Sequence, residues 1–162
     1  MLNLIGSTSI AAALLGALVV TITGIVGGFT RKPGLIRAAR YGSYFVFAAM
    51  STALIAMEIA LLSHDFSVSY VARVGSRETP TYYTAISLWS SLEGSILFWG
   101  WILSGYGALV AFVNRKSDSR LIPFANGVMG FVGLFFYGLI TGPANPFGTV
   151  FPVPANGPGP NP

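Results

Sequence analysis

Apolar residues run along this chain in four long blocks separated by polar or turn-forming stretches. The blocks are roughly Ile5–Phe29, Tyr41–Leu62, Leu88–Val113 and Leu121–Ile140. About 20 apolar residues suffice to cross the hydrocarbon layer of a bilayer as a helix, so each block predicts a transmembrane span. Glu58 and Glu93 are the only ionisable side chains inside them. The predicted fold class is therefore all-α. It is a polytopic membrane protein with a four-helix transmembrane region over residues 1–142 and a Pro-rich segment over residues 143–162.

The connections add detail to this outline. The stretch "HDFSVSYVARVGSRETPTYY" (His64–Tyr83) opens with a period-two run, Phe66, Val68 and Tyr70, which predicts a short extended segment at the membrane surface. Thr79-Pro80 then reads as an N-cap followed by proline at the first helical position. It predicts a short interfacial helix over about Pro80–Ser87, with Tyr82 and Tyr83 at headgroup depth. Seven of the ten prolines fall after Gly142, which excludes regular helix there. That segment reads either as a flexible outer tail or as a loop ordered by something outside this chain.

Charge fixes a predicted orientation. Arg31, Lys32, Arg37 and Arg40 lie between the first two spans, and Arg115, Lys116 and Arg120 between the last two, which is seven of the nine basic residues. Basic loops stay on the cytoplasmic side, so both termini and the Ser63–Ser87 connection are expected outside. On this reading the net charge of +4 is a topological signal and not a nucleic-acid patch. Only 9% of the 162 residues are charged, too few to cover a soluble surface. The N-terminal block has no basic flank of the kind a cleaved secretion signal carries, and it reads as a retained span. Cysteine is absent, which excludes thiol and zinc-thiolate chemistry from this chain, and a lone His64 excludes any site needing two of its own imidazoles.

The two acids are the candidate working groups. Glu58 lies about a turn from the end of the second span. It can reach the interface, pair with Arg73 or Arg77, or join a proton or substrate pathway. Glu93 sits in "LWSSLEGSILFW" (Leu88–Trp99). Ser90-x-x-Glu93 fits a capping box ahead of an apolar run. A helix from Ile86 would be ~42 Å long, against ~34 Å from Ser91, and the hydrocarbon layer is ~30 Å thick. Length thus predicts a break near Ser90, with Glu93 in the first turn and close to the interface, where the helix dipole favours a carboxylate. The other reading puts Glu93 in a polar cleft beside Ser87, Ser90 and Ser91. Trp89 fits an interfacial belt. Trp99 and Trp101 lie deeper, and either pack on neighbouring helices or line a surface for a flat apolar ligand.

Taken in order, "DFSVSYVA" (Asp65–Ala72), Pro80 and Tyr83, Trp89 with Glu93-Gly94-Ser95 and Trp99, Asn145-Pro146-Phe147, and "NGPGPNP" (Asn156–Pro162) resemble the N-terminal part of the CcmF-type cytochrome c haem lyases, the family of NrfE and CycK. The resemblance implies a bacterial inner-membrane protein of cytochrome c maturation, with haem as the group handled. Its implied partners are a CcmE-type haem chaperone, a CcmH-type thiol-handling protein, apocytochrome c, the remaining C-terminal part of the lyase and the bilayer. The implied reaction is thioether formation between haem vinyl groups and the cysteines of a CxxCH motif. Trp89 and Glu93 become the candidate cofactor-side residues, at an outer mouth where a haem carrier would dock. Leu92 stands where the family pattern has His, and Asn156 where it has Asp, so no role is carried to either. The resemblance also implies further helices beyond Pro162, and the chain alone is expected to be inactive. The competing classes are a transporter or proton-relay subunit using Glu58 and Glu93, and a non-catalytic membrane scaffold.

Overall fold

A computed structural model describes residues 1–117 and 119–158. Four long helices carry the fold: α1 (Leu2–Thr30), α2 (Pro33–Leu62), α5 (Leu92–Val113) and α6 (Leu121–Thr141). All four are long and apolar enough to cross a membrane, as a multi-pass membrane protein requires. Two short helices, α3 (Ser69–Val74) and α4 (Thr81–Ile86), and a 3-10 turn, Ser87–Trp89, fill the connection between α2 and α5. No strand occurs among the described residues. The expected extended segment survives as one antiparallel bridge between Val68 and Thr149, and Tyr70 rides instead on α3. Phe66, Val68 and Tyr70 are nevertheless all buried.

The helices pack in a ring in the order α1, α2, α5, α6, with α6 returning to α1. In lipid, apolar side chains gain little by leaving the solvent, so association depends on close backbone approach and van der Waals contact. Helix α1 accordingly buries a file of small residues that includes Gly6, Ala13, Gly16, Ala17, Gly24 and Gly27. The tightest crossing is α1 on α6. A Cβ on Gly24 would stand 2.6 Å from the Pro123 carbonyl oxygen and 2.7 Å from the Gly127 nitrogen. On α5, Gly100 lets Tyr137 of α6 lie flat, and the Tyr137 hydroxyl donates to the Gly100 carbonyl at 3.2 Å. Thr21 and Ser43, both buried, return their hydroxyls to carbonyls one turn back, at 2.7 and 3.0 Å. No polar hydrogen of theirs is then stranded in the apolar interior.

Two differences from the sequence reading concern helix starts. Helix α2 begins at Pro33, well before Tyr41, because Pro33 occupies a first-turn position and Arg31 turns the chain sharply with a left-handed φ of 54°. Arg37 and Arg40 therefore sit on a helix rather than in a loop. At α4, Pro80 is itself the N-cap, with φ −55° and ψ 142°, so the helix starts one residue later than expected.

The two ends of the bundle differ in kind. One end holds α3, α4, the 3-10 turn and residues 142–158, and is called here the capped end. The other holds the two basic connections. The Pro-rich segment is not a free tail over its described part, since it is bound by this chain's own residues. Ser69 N–H donates to the Gly148 carbonyl at 2.7 Å, and Val150 N–H to the Ser67 carbonyl at 3.1 Å. Arg77 N–H donates to the Asn156 side-chain oxygen at 2.9 Å. Phe147 is buried, and its ring occupies the space a side chain on Gly6 would need. Residues 159–162 of the "NGPGPNP" motif lie outside the described residues.

Candidate functional site at the capped end

Tyr70 is the pivot of the capped end. It is fully buried, and its hydroxyl lies 2.8 Å from the Ser87 carbonyl and 2.7 Å from the Leu88 carbonyl, positioned to donate to them. Those carbonyls belong to the 3-10 turn, and Tyr70 stands where a continuous helix would direct back to them N–H groups from the start of α5. Tyr70 thus fixes the break that helix length predicted. Burial pushes its phenol up to about 12, so it remains a donor at any physiological pH. Gly94 completes the corner. A Cβ there would fall on the Leu88 carbonyl oxygen and the Tyr70 hydroxyl, so only glycine lets α5 start this close to the turn.

Helix α5 starts at Leu92 with Ser91 as its N-cap, and Glu93 lies in its first turn. The expected capping box does not form. The Ser90 hydroxyl donates backwards to the Ser87 carbonyl at 2.8 Å, and the side chain of the N-cap, Ser91, accepts from no backbone N–H of the first turn. Glu93 is held in another way. Its carboxylate pairs with the Arg73 guanidinium of α3 at 2.8 Å and accepts from the Ser91 hydroxyl at 3.2 Å. The pairing considered for Glu58 is therefore not made: Arg73 goes to Glu93, and the Arg77 guanidinium lies over the Phe66 ring at 5.8 Å. Sequence reading missed Arg73 as the partner of Glu93 and Tyr70 as the pivot. The only available signal was their place in one short stretch, Asp65–Ala72 and its next residue. Glu58 and Glu93 both sit near helix ends at the capped end, four residues before the end of α2 and second in α5.

The Arg73–Glu93 pair bridges α3 and α5, but Arg73 is half-exposed, which limits its worth. A double-mutant cycle of Arg73→Ala and Glu93→Gln, read by thermal unfolding in a zwitterionic detergent, is expected to give a coupling of about 0.5–1 kcal/mol. Raising salt should shrink it. A coupling unchanged at high salt would mean that the bridge is more deeply desolvated than its exposure indicates.

The three tryptophans separate. Trp101 packs inward: its ring stacks on Phe47 at 6.2 Å, and its N–H donates to the Ser51 hydroxyl at 3.0 Å. Trp99 and Trp89 are exposed. Trp89 lies edge-on to Phe98 at 5.3 Å, and Phe98 in turn meets Trp99 at 6.4 Å. The Trp89 backbone is tied to the first turn of α5, since its carbonyl accepts from the Ser95 hydroxyl at 2.9 Å. An exposed indole on a fixed turn, with Tyr82 and Tyr83 exposed on α4 before it, makes an aromatic rim.

Two axial imidazoles for a haem cannot both come from this chain. His64 is its one imidazole, with a left-handed φ of 53° at the end of α2, and its Nε2 is buried without a hydrogen-bond partner. Among the described residues no three of His, Cys, Asp and Glu cluster as a metal-ligand set.

No protein-family profile matches the chain. Its sequence relatives include the cytochrome c-type biogenesis protein NrfE of Haemophilus influenzae, 34% identical over 131 residues that cover 81% of this chain and 21% of that protein. They also include the cytochrome c-type biogenesis protein CcmF of Pseudomonas fluorescens, 30% identical over 160 residues, 94% of this chain and 23% of that one. A solved structure, the cytochrome c haem lyase CcmF, superposes with a TM-score of 0.85 and 31% identity over 94% of this chain and 26% of its own. The chain thus spans about a quarter or less of the length of the proteins it matches.

Proposed function

We propose, from the homology of this chain to part of the CcmF/NrfE/CycK-type cytochrome c biogenesis proteins, that it forms the N-terminal membrane region of a cytochrome c haem lyase. In the whole protein each cysteine S–H of the CxxCH motif adds across a haem vinyl group. Sulfur bonds to one vinyl carbon, the thiol hydrogen ends on the other, and no oxidant is consumed. Haem is the cargo of this reaction, supplied by a CcmE-type chaperone. The thiols must arrive reduced, which is the task of a CcmH-type partner. On this reading the chain alone holds no haem and does no ligation.

Its own contribution is a docking rim on the outer face of the bacterial inner membrane. The seven basic residues gathered at the opposite end support an orientation with that end in the cytoplasm and the capped end outside. The observation that carries the reading is Trp89, an exposed indole whose backbone carbonyl is hydrogen-bonded to Ser95. A fixed aromatic face loses little entropy when a flat porphyrin edge or an apolar patch of the carrier covers it. Glu93 acts as a positioning residue. With its carboxylate engaged by Arg73, it holds the start of α5 under the Trp89 turn.

In the full-length protein, Trp89→Ala is expected to lower both haem-chaperone binding and cytochrome c yield about tenfold, one lost anchor side chain costing ~1–2 kcal/mol. Glu93→Gln is expected to have a smaller effect, because the amide keeps the shape and loses only the charge. Unchanged binding and yield in both variants would remove the docking rim from the reading.

A further inference from the structure

The basic end of the bundle contains a cavity of about 520 Å³ that the haem reading does not use. Six cationic side chains line it: Arg31, Arg37, Arg40, Arg115, Lys116 and Arg120. They come from three separate parts of the chain, namely the α1–α2 link, the first turns of α2, and the α5–α6 connection. Among the described residues none of the six lies in an ion pair with a carboxylate. Orientation in the membrane needs only that cations lie somewhere in these connections. It does not require that six of them converge on one hollow, and convergence of like charges is costly unless an anion offsets it.

The rest of the lining indicates what kind of anion. Ile36, Ile122 and Pro123 give the cavity an apolar wall, and Gly27 and Gly28 leave room beside it. Phe29, Phe112 and Leu121, exposed on the adjoining helix ends, continue that apolar surface outward. The α2 start adds a partial positive charge, since no side chain caps its first backbone N–H groups. Cations around the hollow with apolar surface beside it match a molecule with a phosphate at one end and acyl chains at the other.

We propose that this cavity is a binding site for the headgroup of an anionic phospholipid. The phosphate accepts from the guanidinium groups of Arg37, Arg40 and Arg120, and the acyl chains lie along the exposed apolar ends of α1 and α6. The site holds whether or not the capped end docks a haem carrier, because the two lie at opposite ends of the bundle.

The test uses the full chain in phosphatidylcholine nanodiscs containing a minor fraction of phosphatidylglycerol, with retained lipid counted by native mass spectrometry after release. Wild type is expected to retain phosphatidylglycerol about tenfold above its share in the disc. Arg37→Gln and Arg40→Gln should each lower that preference about fivefold, the effect of one cation near an anionic headgroup. The triple variant with Arg120→Gln should retain lipid at the bulk ratio. Lys32→Gln removes one charge from the same end outside the cavity lining, and should leave the preference intact. The single variants decide the matter if the triple variant does not fold. Three outcomes would overturn the proposal. Retention could follow bulk composition. Lys32→Gln could weaken it as much as Arg40→Gln, which would mean a diffuse field. Inorganic phosphate at millimolar concentration could displace the lipid completely, which would make the ligand a free anion.

Discussion

Valine in place of Gly94 is expected to open the capped end while leaving the four-helix ring assembled. The space a side chain needs there is already taken by the Leu88 carbonyl and the Tyr70 hydroxyl. A carbonyl oxygen fixed in a turn cannot swing aside as the tip of a flexible side chain can. The turn must therefore lift off, and Tyr70 then loses both acceptors, Ser87 and Leu88, while remaining buried. Overpacking against fixed groups costs about 3 kcal/mol, and stranding a buried hydroxyl adds ~1–3 kcal/mol. The measurement is hydrogen exchange in detergent micelles, resolved by segment. Residues 66–91 and 144–158 should lose protection while the centres of α1 and α6 keep theirs. Gly107→Ala is the control, because Gly107 is on the same helix with open space at its Cβ. It should be neutral or stabilising by up to ~1 kcal/mol from helix propensity alone. If Gly94→Val leaves exchange at the capped end unchanged, Tyr70 does not hold the turn.

The second large effect is expected at Gly24. Leucine there would drive α1 and α6 apart, since its Cβ would meet the Pro123 oxygen at 2.6 Å and the Gly127 nitrogen at 2.7 Å. Both are backbone atoms, so relief requires moving a helix axis. The lost approach removes van der Waals contact along the whole crossing, which is the main attraction available between helices in lipid. A loss of about 2–3 kcal/mol is expected, read as a lower unfolding midpoint in mixed micelles. Gly138→Leu on α6 meets nothing within 4 Å and should shift the midpoint little. Equal shifts in the two variants would mean that the effect comes from leucine in the detergent belt and not from the crossing.

Much of the helical frame was legible because its cause is local. Apolar blocks the length of a bilayer are read without tertiary knowledge, and the break before α5 followed from length alone. The short connection was legible only in part. The one-sided pattern of Phe66, Val68 and Tyr70 was legible, but the helix from Ser69 was not, because its start is set by the bridge of Val68 to Thr149 far along the chain. Pairing with Arg73 or Arg77 was one of three readings of Glu58, whereas folding brings Arg73 to Glu93. The capping box failed for a related reason: the Ser90 hydroxyl found the Ser87 carbonyl in a 3-10 turn that no periodicity announces. The proline-rich segment was read correctly as non-helical, but its partners, Ser67, Ser69 and Arg77, lie on the other side of two spans.

That separation has a consequence for biogenesis. The bond from Arg77 to Asn156 spans 79 positions of sequence, and the Ser69–Gly148 contact spans the same number. During synthesis α1 and α2 can pair as soon as both are inserted, whereas the segment 66–77 must wait for two further insertions before its partners exist. Ribosome-stalled chains ending before residue 144 should thus present Phe66 and Val68 to chaperones, and full-length chains should hide them. The last part to close is also the part that carries Trp89. If the Trp89 rim docks a carrier as proposed, newly inserted protein stays unable to engage it until residues 144–156 have been threaded, a built-in delay between insertion and service.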